Sequence, residues 1–301
     1  MSSAAETVAV DFAPDRELVG QRLEEGCDRY LHPGLGAVGE AIRYSLLAPG
    51  KRMRAVLLLA AYRAAGGRAD ASGLGAAVEV VHAYSLVHDD LPCMDDDHVR
   101  RGQPTTHRVY GPAAAAVAGI AMVPLAARWA FGAASELGLP ATACAGIVRE
   151  LMRASGAGGM VGGQLLDLAA EGRELTLDQL ETMHRAKTGA LIVTSVRLAG
   201  VAAGALPEHV HAFDRYGDAI GLAFQIADDV LDATATTAEL GKTAGRDAAM
   251  RKSTYPALLG VGGARARATA LVDEACSALA SAGLLTAALE AMARFAVARR
   301  S

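Results

Sequence analysis

Five aspartates lie close together in the segment DDLPCMDDD: Asp89, Asp90, Asp95, Asp96 and Asp97. The segment follows an apolar run, VEVVHAYSLVH, that is typical of a buried helix. So many carboxylates repel one another unless a cation neutralises them, and clustered oxygen ligands without Cys or His suit Mg²⁺. The alternative is an acidic helix cap or loop.

The spacing within this cluster requires a distortion of the helix. Asp89 and Asp95 are six positions apart, which is about 240° around a regular α-helix, so they would not share a face. Pro92 lies between them and removes one backbone hydrogen bond. We therefore predict that the helix is kinked or bulged at Pro92.

A second cluster occurs in FQIADDVLD, which starts at residue 224. Asp228 and Asp232 are four residues apart and share one helical face, with Gln225 one turn earlier on the same side. The preceding apolar stretch, AIGLAFQIA, indicates that this face points inward, where paired like charges need a counter-charge. A bound cation would supply it.

Seven basic residues lie beside Gly or Pro, at the predicted ends of helices. Each alone could be a solvated surface charge. Together with two aspartate clusters they predict a polyphosphate clamp bridged by Mg²⁺. They are Lys51, Arg52, Arg54, Arg100, Arg101, Lys187 and Lys242.

Composition indicates the elements that must position these groups. The 301 residues are 52% hydrophobic but contain only 5 Phe, 1 Trp and 7 Tyr, so strand-favouring residues are scarce while Ala and Leu abound. Short Gly- and Pro-containing segments separate the helical stretches. We expect an all-α protein, with residues 1–301 as a single-domain bundle of about ten or more helices around a central cavity.

Charge and targeting signals narrow the class of protein. With 29 basic and 33 acidic residues the net charge is −4, which argues against nucleic acid as a partner. The N-terminus lacks a signal-peptide pattern, and the uncharged stretch 109–127 contains two prolines, so we expect a buried core helix and not an integral membrane protein. The widely spaced cysteines favour a reducing cytoplasm; they are Cys27, Cys93, Cys144 and Cys276.

Three motif-like strings are interpreted as structural. AELGKT lacks the first glycine of a P-loop, because position 236 is Thr. The glycines of GAGGMVGG, residues 156–163, are expected to permit close helix packing. Glu181 and His184 form a single ExxH pair, which we interpret as an exposed helix face.

Taken in order along the chain, the motifs resemble those of the trans-type (all-E) short-chain prenyl diphosphate synthases. The segment YSLVHDDLPCMDDD is most like that of bacterial farnesyl diphosphate synthases, and plastid-type geranylgeranyl synthases share the spacer between Asp90 and Asp95. The matching segments are GKRMR, HAYSLVHDDLPCMDDDHVRRGQPTTH, GGQLLD, KTG, FQIADDVLD, LGKTAGRD and KSTYPALLG.

The resemblance implies an isoprenoid-synthase fold, commonly homodimeric, and a metal-assisted reaction. An allylic diphosphate (dimethylallyl or geranyl) ionises, and its carbocation alkylates isopentenyl diphosphate head to tail. Three Mg²⁺ are implied, two at Asp89 and Asp95 with support from Asp90, and one at Asp228. Asp229 and Asp232 would act through water or from further out.

The resemblance also implies two diphosphate pockets. The allylic diphosphate would lie near Arg100, Lys187 and Lys242, and isopentenyl diphosphate on Lys51, Arg54, His82 and Arg101. Thr188 and Gln225 would present oxygen dipoles to the carbocation, and released pyrophosphate would take the final proton.

Two residues below Asp89 on its helix are candidates for setting product length. Ser85 is one turn below, and Tyr84 is five residues below, about 7.5 Å along the axis. A phenol there can block a growing tail and resembles the aromatic stop of C15 synthases, which favours farnesyl diphosphate. The alternative is that Tyr84 is only a core aromatic.

Other functions remain as alternatives. A geranylgeranyl diphosphate synthase would make a C20 product, and a C10 product is also open. A class I terpene cyclase would normally replace the second DDxxD motif, and a non-catalytic partner subunit would be expected to have lost one or both clusters.

Overall fold

The computed structural model describes residues 10–234 and 252–298, and these confirm the predicted all-α fold. The strands in this part of the chain are two-residue β1 (Val99–Arg100) and β2 (Gln103–Pro104), paired antiparallel. The described α-helices are α1 (Ala13–Tyr30), α2 (Gly36–Leu47), α3 (Met53–Ala64), α4 (Ser72–Asp89), α5 (Thr106–Tyr110), α6 (Pro112–Glu136), α7 (Ala141–Ser155), α8 (Met160–Ala169), α9 (Leu177–His184), α10 (Ala190–Ala202), α11 (Pro207–Thr234), α12 (Tyr255–Ser281) and α13 (Ala287–Ala298).

Helix α3 lies at the centre of the bundle, between α4 and α10. Helix α3 is buried on every side from Ala55 to Tyr62, as expected of a helix that is apolar all round. It packs against α4 and α10, while α4 also packs on α6, and α11 packs on α10 and α12. The helices that carry the two aspartate clusters, α4 and α11, are therefore both held by the core.

Helix α6 has one buried and one exposed apolar face. Among the described helices it alone is long and apolar enough to cross a membrane, and 44% of its most apolar window is buried. The stretch 109–127 is not one helix, because Gly111, with φ 85°, separates α5 from α6 and Pro112 starts the new helix. Val117, Ile120 and Phe131 are exposed by 49%, 65% and 42%; we call these three residues the α6 stripe.

A π-helical turn, Arg185–Gly189, joins α9 to α10 without a break. The capping box of Thr176 and Gln179 starts α9. Helix α8 packs directly on the turn, since a Cβ on Gly163 would lie 2.1 Å from the backbone nitrogen of Lys187. Close packing at the glycine-rich segment was expected, whereas the π turn was not.

Candidate active site

A cavity of about 900 Å³ collects most of the predicted site residues. Its wall is formed by residues 49–54, α4, the β1–β2 hairpin, α8, the π turn and α11. The predicted residues that line it are Lys51, Arg54, His82, Tyr84, Ser85, Asp89, Arg100, Arg101, Lys187, Thr188, Gln225 and Asp228. Asp90, Asp95, Asp229 and Asp232 are not among the lining residues, and Lys242 lies outside the described residues.

The first aspartate cluster leaves the helix, so the predicted kink at Pro92 is wrong. Helix α4 ends at Asp89, and the chain continues in turns. The N–H of Asp95 donates to the carbonyl of Asp89 at 2.9 Å, and the carbonyl of Leu91 accepts from Met94 at the same distance. Proline has no N–H to donate and disfavours helical backbone in the residue before it, so it ends this helix.

The carboxylates of this turn are crowded and differ in their partners. The pKa of Asp89 is raised to about 6, first by burial and then by Asp95, while Lys187 opposes the rise. Arg100 Nε donates to Asp90 at 2.7 Å, and its Nη2 donates to Asp97 at 3.1 Å. Of the five aspartates in this cluster, Asp89 is the one that lines the cavity.

The donor set fits a hard divalent cation that completes its shell with a ligand. Asp89 on α4 and Asp228 on α11 both line the cavity. Within residues 10–234 and 252–298, no three His, Cys, Asp or Glu side chains converge as a complete metal site. Mg²⁺ commonly takes one or two carboxylates and fills the remaining positions with water and substrate phosphates. Burial is the main cause of the raised pKa of Asp89, and a bound cation would favour the charged form of this carboxylate.

The β1–β2 hairpin carries Arg100 and Arg101, whose side chains have different partners. Its turn residues, Arg101 and Gly102, both have positive φ, 54° and 77°, as type I′ turns require. Arg101 lies over Gly50, where a Cβ would come within 2.4 Å of its Nη1. Its Nη2 lies 3.3 Å from His82 Nε2.

His82 is held neutral within this basic group. Burial, followed by the charges of Arg54 and Arg101, lowers its pKa well below the usual value. Since arginine can only donate, Nε2 is the acceptor and the ring proton is on Nδ1. A neutral His82 can therefore donate one hydrogen bond to an anion held by the surrounding cations.

Glu79 supports the same region and was missed in the sequence. Its side chain is 2% exposed, accepts from the N–H of Ala55 at 3.2 Å and lies 3.8 Å from Arg52 Nη1. Arg52 also donates to the carbonyls of Leu46 and Ala48 at 2.8 and 2.7 Å. Arg52, predicted as part of the clamp, lines the cavity, and its side chain is also tied to the end of α2. The available signal for Glu79 was a glutamate inside the apolar run VEVV.

The C-terminal helix also contacts this pocket. Lys51 Nζ lies over the ring of Phe295 on α13, 5.6 Å from its centroid. That distance is within the range of a cation–π interaction. The GKRMR segment is thus bordered by a helix that begins at residue 287.

Across the cavity, the π turn and α11 are joined by hydrogen bonds. Thr188 Oγ1 donates to Gln225 Oε1 at 2.8 Å, and Gln225 Nε2 lies 3.5 Å from His184 Nδ1. Asp228 lines the cavity, whereas Asp229 Oδ2 accepts from the N–H of Tyr255 at 3.0 Å and so points to α12. The predicted proximity of Thr188 and Gln225 is present.

The prediction of an exposed ExxH face is wrong. Glu181 and His184 are both buried, and residues of α12 contact each of them. Glu181 pairs with Arg185 at 3.0 Å and Arg267 at 3.3 Å, and the His184 ring stacks on Tyr255 at 5.8 Å. Burial lowers the pKa of His184 to about 4, so its ring is neutral at pH 7.

The sequence predicted that Lys187 lies at a helix end, but the structure places it in the π turn. Its Nζ donates to the buried Asp167 at 2.5 Å, and Lys252 Nζ donates to the same carboxylate at 3.1 Å. Asp167 and Lys252 lie within the quoted GGQLLD and KSTYPALLG segments but were not singled out. Their proximity joins segments 85 residues apart.

The polar side chains of Tyr84, Ser85 and Gln164 also line the cavity. Tyr84 is 4% exposed, and its hydroxyl donates to the carbonyl of Ser155 at 2.9 Å. Ser85 Oγ donates to the carbonyl of His82 at 2.9 Å. On α8, both amide atoms of Gln164 are buried without a partner among the described residues, so a ligand or water can pair with them.

Comparison with known proteins places this site in a family. The profile of the polyprenyl synthetase family matches residues 36–292. Farnesyl diphosphate synthase of Escherichia coli is 43% identical over 96% of this chain and 99% of its own length. The crystal structure of an FPP/GFPP synthase from Zymomonas mobilis has a TM-score of 0.80 at 33% identity, covering 93% of this chain and 96% of that one.

A second group of relatives differs in the product that their names give. Geranylgeranyl pyrophosphate synthase 12 of Arabidopsis thaliana is 43% identical over 81% of this chain and 68% of its own length. The two aspartate clusters, the cations around them and the matches over most of the chain agree: this chain belongs to the polyprenyl synthetase family.

Proposed function

We propose that this prenyltransferase condenses isopentenyl diphosphate with dimethylallyl and then geranyl diphosphate to give farnesyl diphosphate. The observation that carries the proposal is one cavity in which Asp89 and Asp228 face inward and basic side chains form two groups. Its apolar wall can accommodate a prenyl tail. The similarity to E. coli farnesyl diphosphate synthase supports the C15 product.

Asp89, Asp95 and Asp228 are the residues that would hold Mg²⁺, and the ion would stabilise negative charge on the departing diphosphate. Arg100 and Lys187 line the cavity beside this cluster and orient the allylic diphosphate. The Thr188 hydroxyl donates a hydrogen bond to Gln225 Oε1. The lone pairs of the Thr188 oxygen therefore remain available to stabilise a positive charge in the cavity.

Isopentenyl diphosphate would occupy the other basic group. Lys51, Arg54 and Arg101 supply charge, and neutral His82 supplies a hydrogen bond. This anion stays bound while the allylic one departs, so holding it with side chains alone is chemically consistent. Separate pockets also keep the two diphosphates from repelling each other.

We also propose that the enzyme works as a homodimer in the cytoplasm. The α6 stripe supports the dimer, because it is an apolar face of a long helix that no described element covers. The four cysteines are free, which is compatible with a reducing compartment.

The deciding experiment is an assay of purified protein with labelled isopentenyl diphosphate, Mg²⁺ and each of the C5, C10 and C15 allylic diphosphates. We expect C15 product from the C5 and C10 substrates. Asp89→Asn should lower turnover by about 10²-fold or more, because it removes charge that acts on the transition state.

Asp273→Asn, an exposed carboxylate on α12, is the matched control and should retain full activity. Wild-type-like turnover of Asp89→Asn would refute the site. Hydrocarbon formed from an allylic diphosphate without isopentenyl diphosphate would instead support a terpene cyclase.

A further inference from the structure

The carboxylate of Asp167 on α8 is shared by two lysines from distant parts of the chain. Its Oδ2 atom accepts from Lys187 Nζ at 2.5 Å and from Lys252 Nζ at 3.1 Å. The side chains of Asp167, Lys187 and Lys252 are 8%, 25% and 17% exposed. One buried negative charge therefore meets two positive charges, and the group as a whole is cationic.

Lys187 is the member of this group that reaches the cavity. It belongs to the lining, whereas Asp167 and Lys252 lie behind it. Burial alone would lower the pKa of Lys187, but the carboxylates of Asp167 and Asp89 outweigh burial and raise it. Lys187 is thus protonated and attracted both to a carboxylate behind the wall and to one inside the cavity.

Lys252 is held in place from its C-terminal side. The hydroxyl of Ser253 accepts from the N–H of Leu175 at 2.9 Å and donates to the carbonyl of Arg173 at 3.2 Å. These bonds fix the backbone next to Lys252 to the loop that follows α8. Lys252 is therefore kept beside Asp167 by an anchor that does not involve the cavity.

The geometry points to an exchange of partners at Asp167, in which Lys252 is the standing counter-ion and thereby frees Lys187 to move onto the allylic diphosphate. A buried carboxylate that loses its partner is strongly destabilised. Without Lys252, Asp167 would retain Lys187; with it, Lys187 leaves when substrate binds and returns when pyrophosphate departs. Lys252 is a positioning residue, and this inference rests on the proposed prenyl transfer.

A double-mutant cycle tests the exchange. The measurement is calorimetric affinity for geranyl diphosphate with sulfur in place of the bridging oxygen, which binds but ionises slowly, with Mg²⁺ present. Lys252→Met should weaken binding roughly tenfold, because a charge-assisted hydrogen bond to the substrate is withheld. Adding Asp167→Asn should restore affinity to within about twofold of wild type, since the carboxylate that retains Lys187 is gone.

The controls separate the alternatives. Lys252→Arg keeps the charge and should bind like wild type, and the KM for isopentenyl diphosphate should be unchanged in every variant. If Lys252→Met and the double variant are equally weak, Lys252 contacts the substrate itself and the exchange is refuted. Loss of thermal stability in the double variant beyond the sum of the single ones would refute it in favour of a purely structural role. A wild type that binds the analogue but forms no product from geranyl diphosphate and isopentenyl diphosphate would refute the proposed function and not the exchange.

Discussion

Tyr84 is fixed on two sides at the wall of the cavity. Its hydroxyl donates to Ser155 at the end of α7, and its ring meets the His88 ring edge-on at a centroid distance of 5.7 Å. These contacts restrict the movement of the ring. Its burial agrees with the interpretation of Tyr84 as a core aromatic, and its position at the cavity wall keeps the chain-length role as a prediction.

Tyr84→Ala should lengthen the product beyond that of the wild type. The substitution opens space for several carbons without touching the metal or diphosphate groups. Burying five more carbons in an apolar channel is favourable by about 0.8 kcal/mol per CH₂. Mass analysis of the dephosphorylated products would show the change.

Tyr84→Phe is the matched control, because it keeps the ring and removes only the bond to Ser155. It should give the wild-type product with a somewhat lower melting temperature. An unchanged product from Tyr84→Ala would mean that another residue sets the floor.

At the scale of elements, the π turn determines the geometry of one cavity wall. The wider backbone turn of the π-helix places Lys187 and Thr188 at the cavity lining, while α9 and α10 continue on either side. Gln225 donates to His184 Nδ1 because its oxygen already accepts from Thr188. The ring proton of His184 is then on Nε2, 3.9 Å from Asp229 Oδ2.

We predict that His184 orients the Gln225 amide. His184→Phe keeps an aromatic ring against Tyr255 but removes the acceptor, and it should lower kcat about tenfold with little change in the KM of isopentenyl diphosphate. His184→Asn supplies an acceptor close to the Nδ1 position and should recover most of the activity. Steady-state kinetics of both variants decide it, and equal losses would argue for ring packing alone.

The pH dependence of the melting temperature of the metal-free protein is an independent test of the environment of His184. Folding lowers the pKa of His184 to about 4 from its ordinary value near 6.5, so the unfolded chain binds more protons between these pH values. Its contribution to stability is complete above about pH 6.5 and is lost as the pH falls towards 4. His184→Phe should flatten this part of the melting-temperature profile.

Local rules predicted some of these elements. The i, i+4 spacing of Asp228 and Asp232 predicted that both lie on one helix, and both lie on α11, because this pattern depends only on residues within one turn. The position of Pro92 predicted a disturbance of the helix, but not that the helix ends at Asp89 and the chain continues in turns.

Long-range packing determined what the sequence did not predict. The π turn requires Gly163 of α8 against the backbone of Lys187. The burial of His184 requires α12, and the pairing of Asp167 with Lys252 joins segments far apart in the chain. Neither periodicity nor motif spacing within a short window contains such contacts.

At the scale of the whole molecule, the α6 stripe predicts self-association. A helix this apolar, with Ile120 exposed by 65%, is typical of an interface. Ile120→Glu should convert a dimer of the 30.9 kDa chain into monomers in light scattering. Charge placed in the centre of an apolar contact is strongly unfavourable.

Leu206→Glu is the control, because Leu206 is similarly exposed, by 54%, but lies before α11 and away from the stripe. It should leave the mass unchanged. A wild type that is monomeric at micromolar concentration would contradict the proposed dimer.

The contact between Lys51 and Phe295 also has a consequence for the order of synthesis. The two residues stand about 240 positions apart, so the ribosome needs roughly 10 to 50 seconds to make the ring after it has made the lysine. A nascent chain has both aspartate clusters, the second of which ends at Asp232, 55 residues before α13 begins at Ala287. The Lys51 side of the cavity, where we propose that isopentenyl diphosphate binds, is therefore among the last parts of the described chain to be completed, and a premature stop within α13 would leave Lys51 without the ring that it contacts.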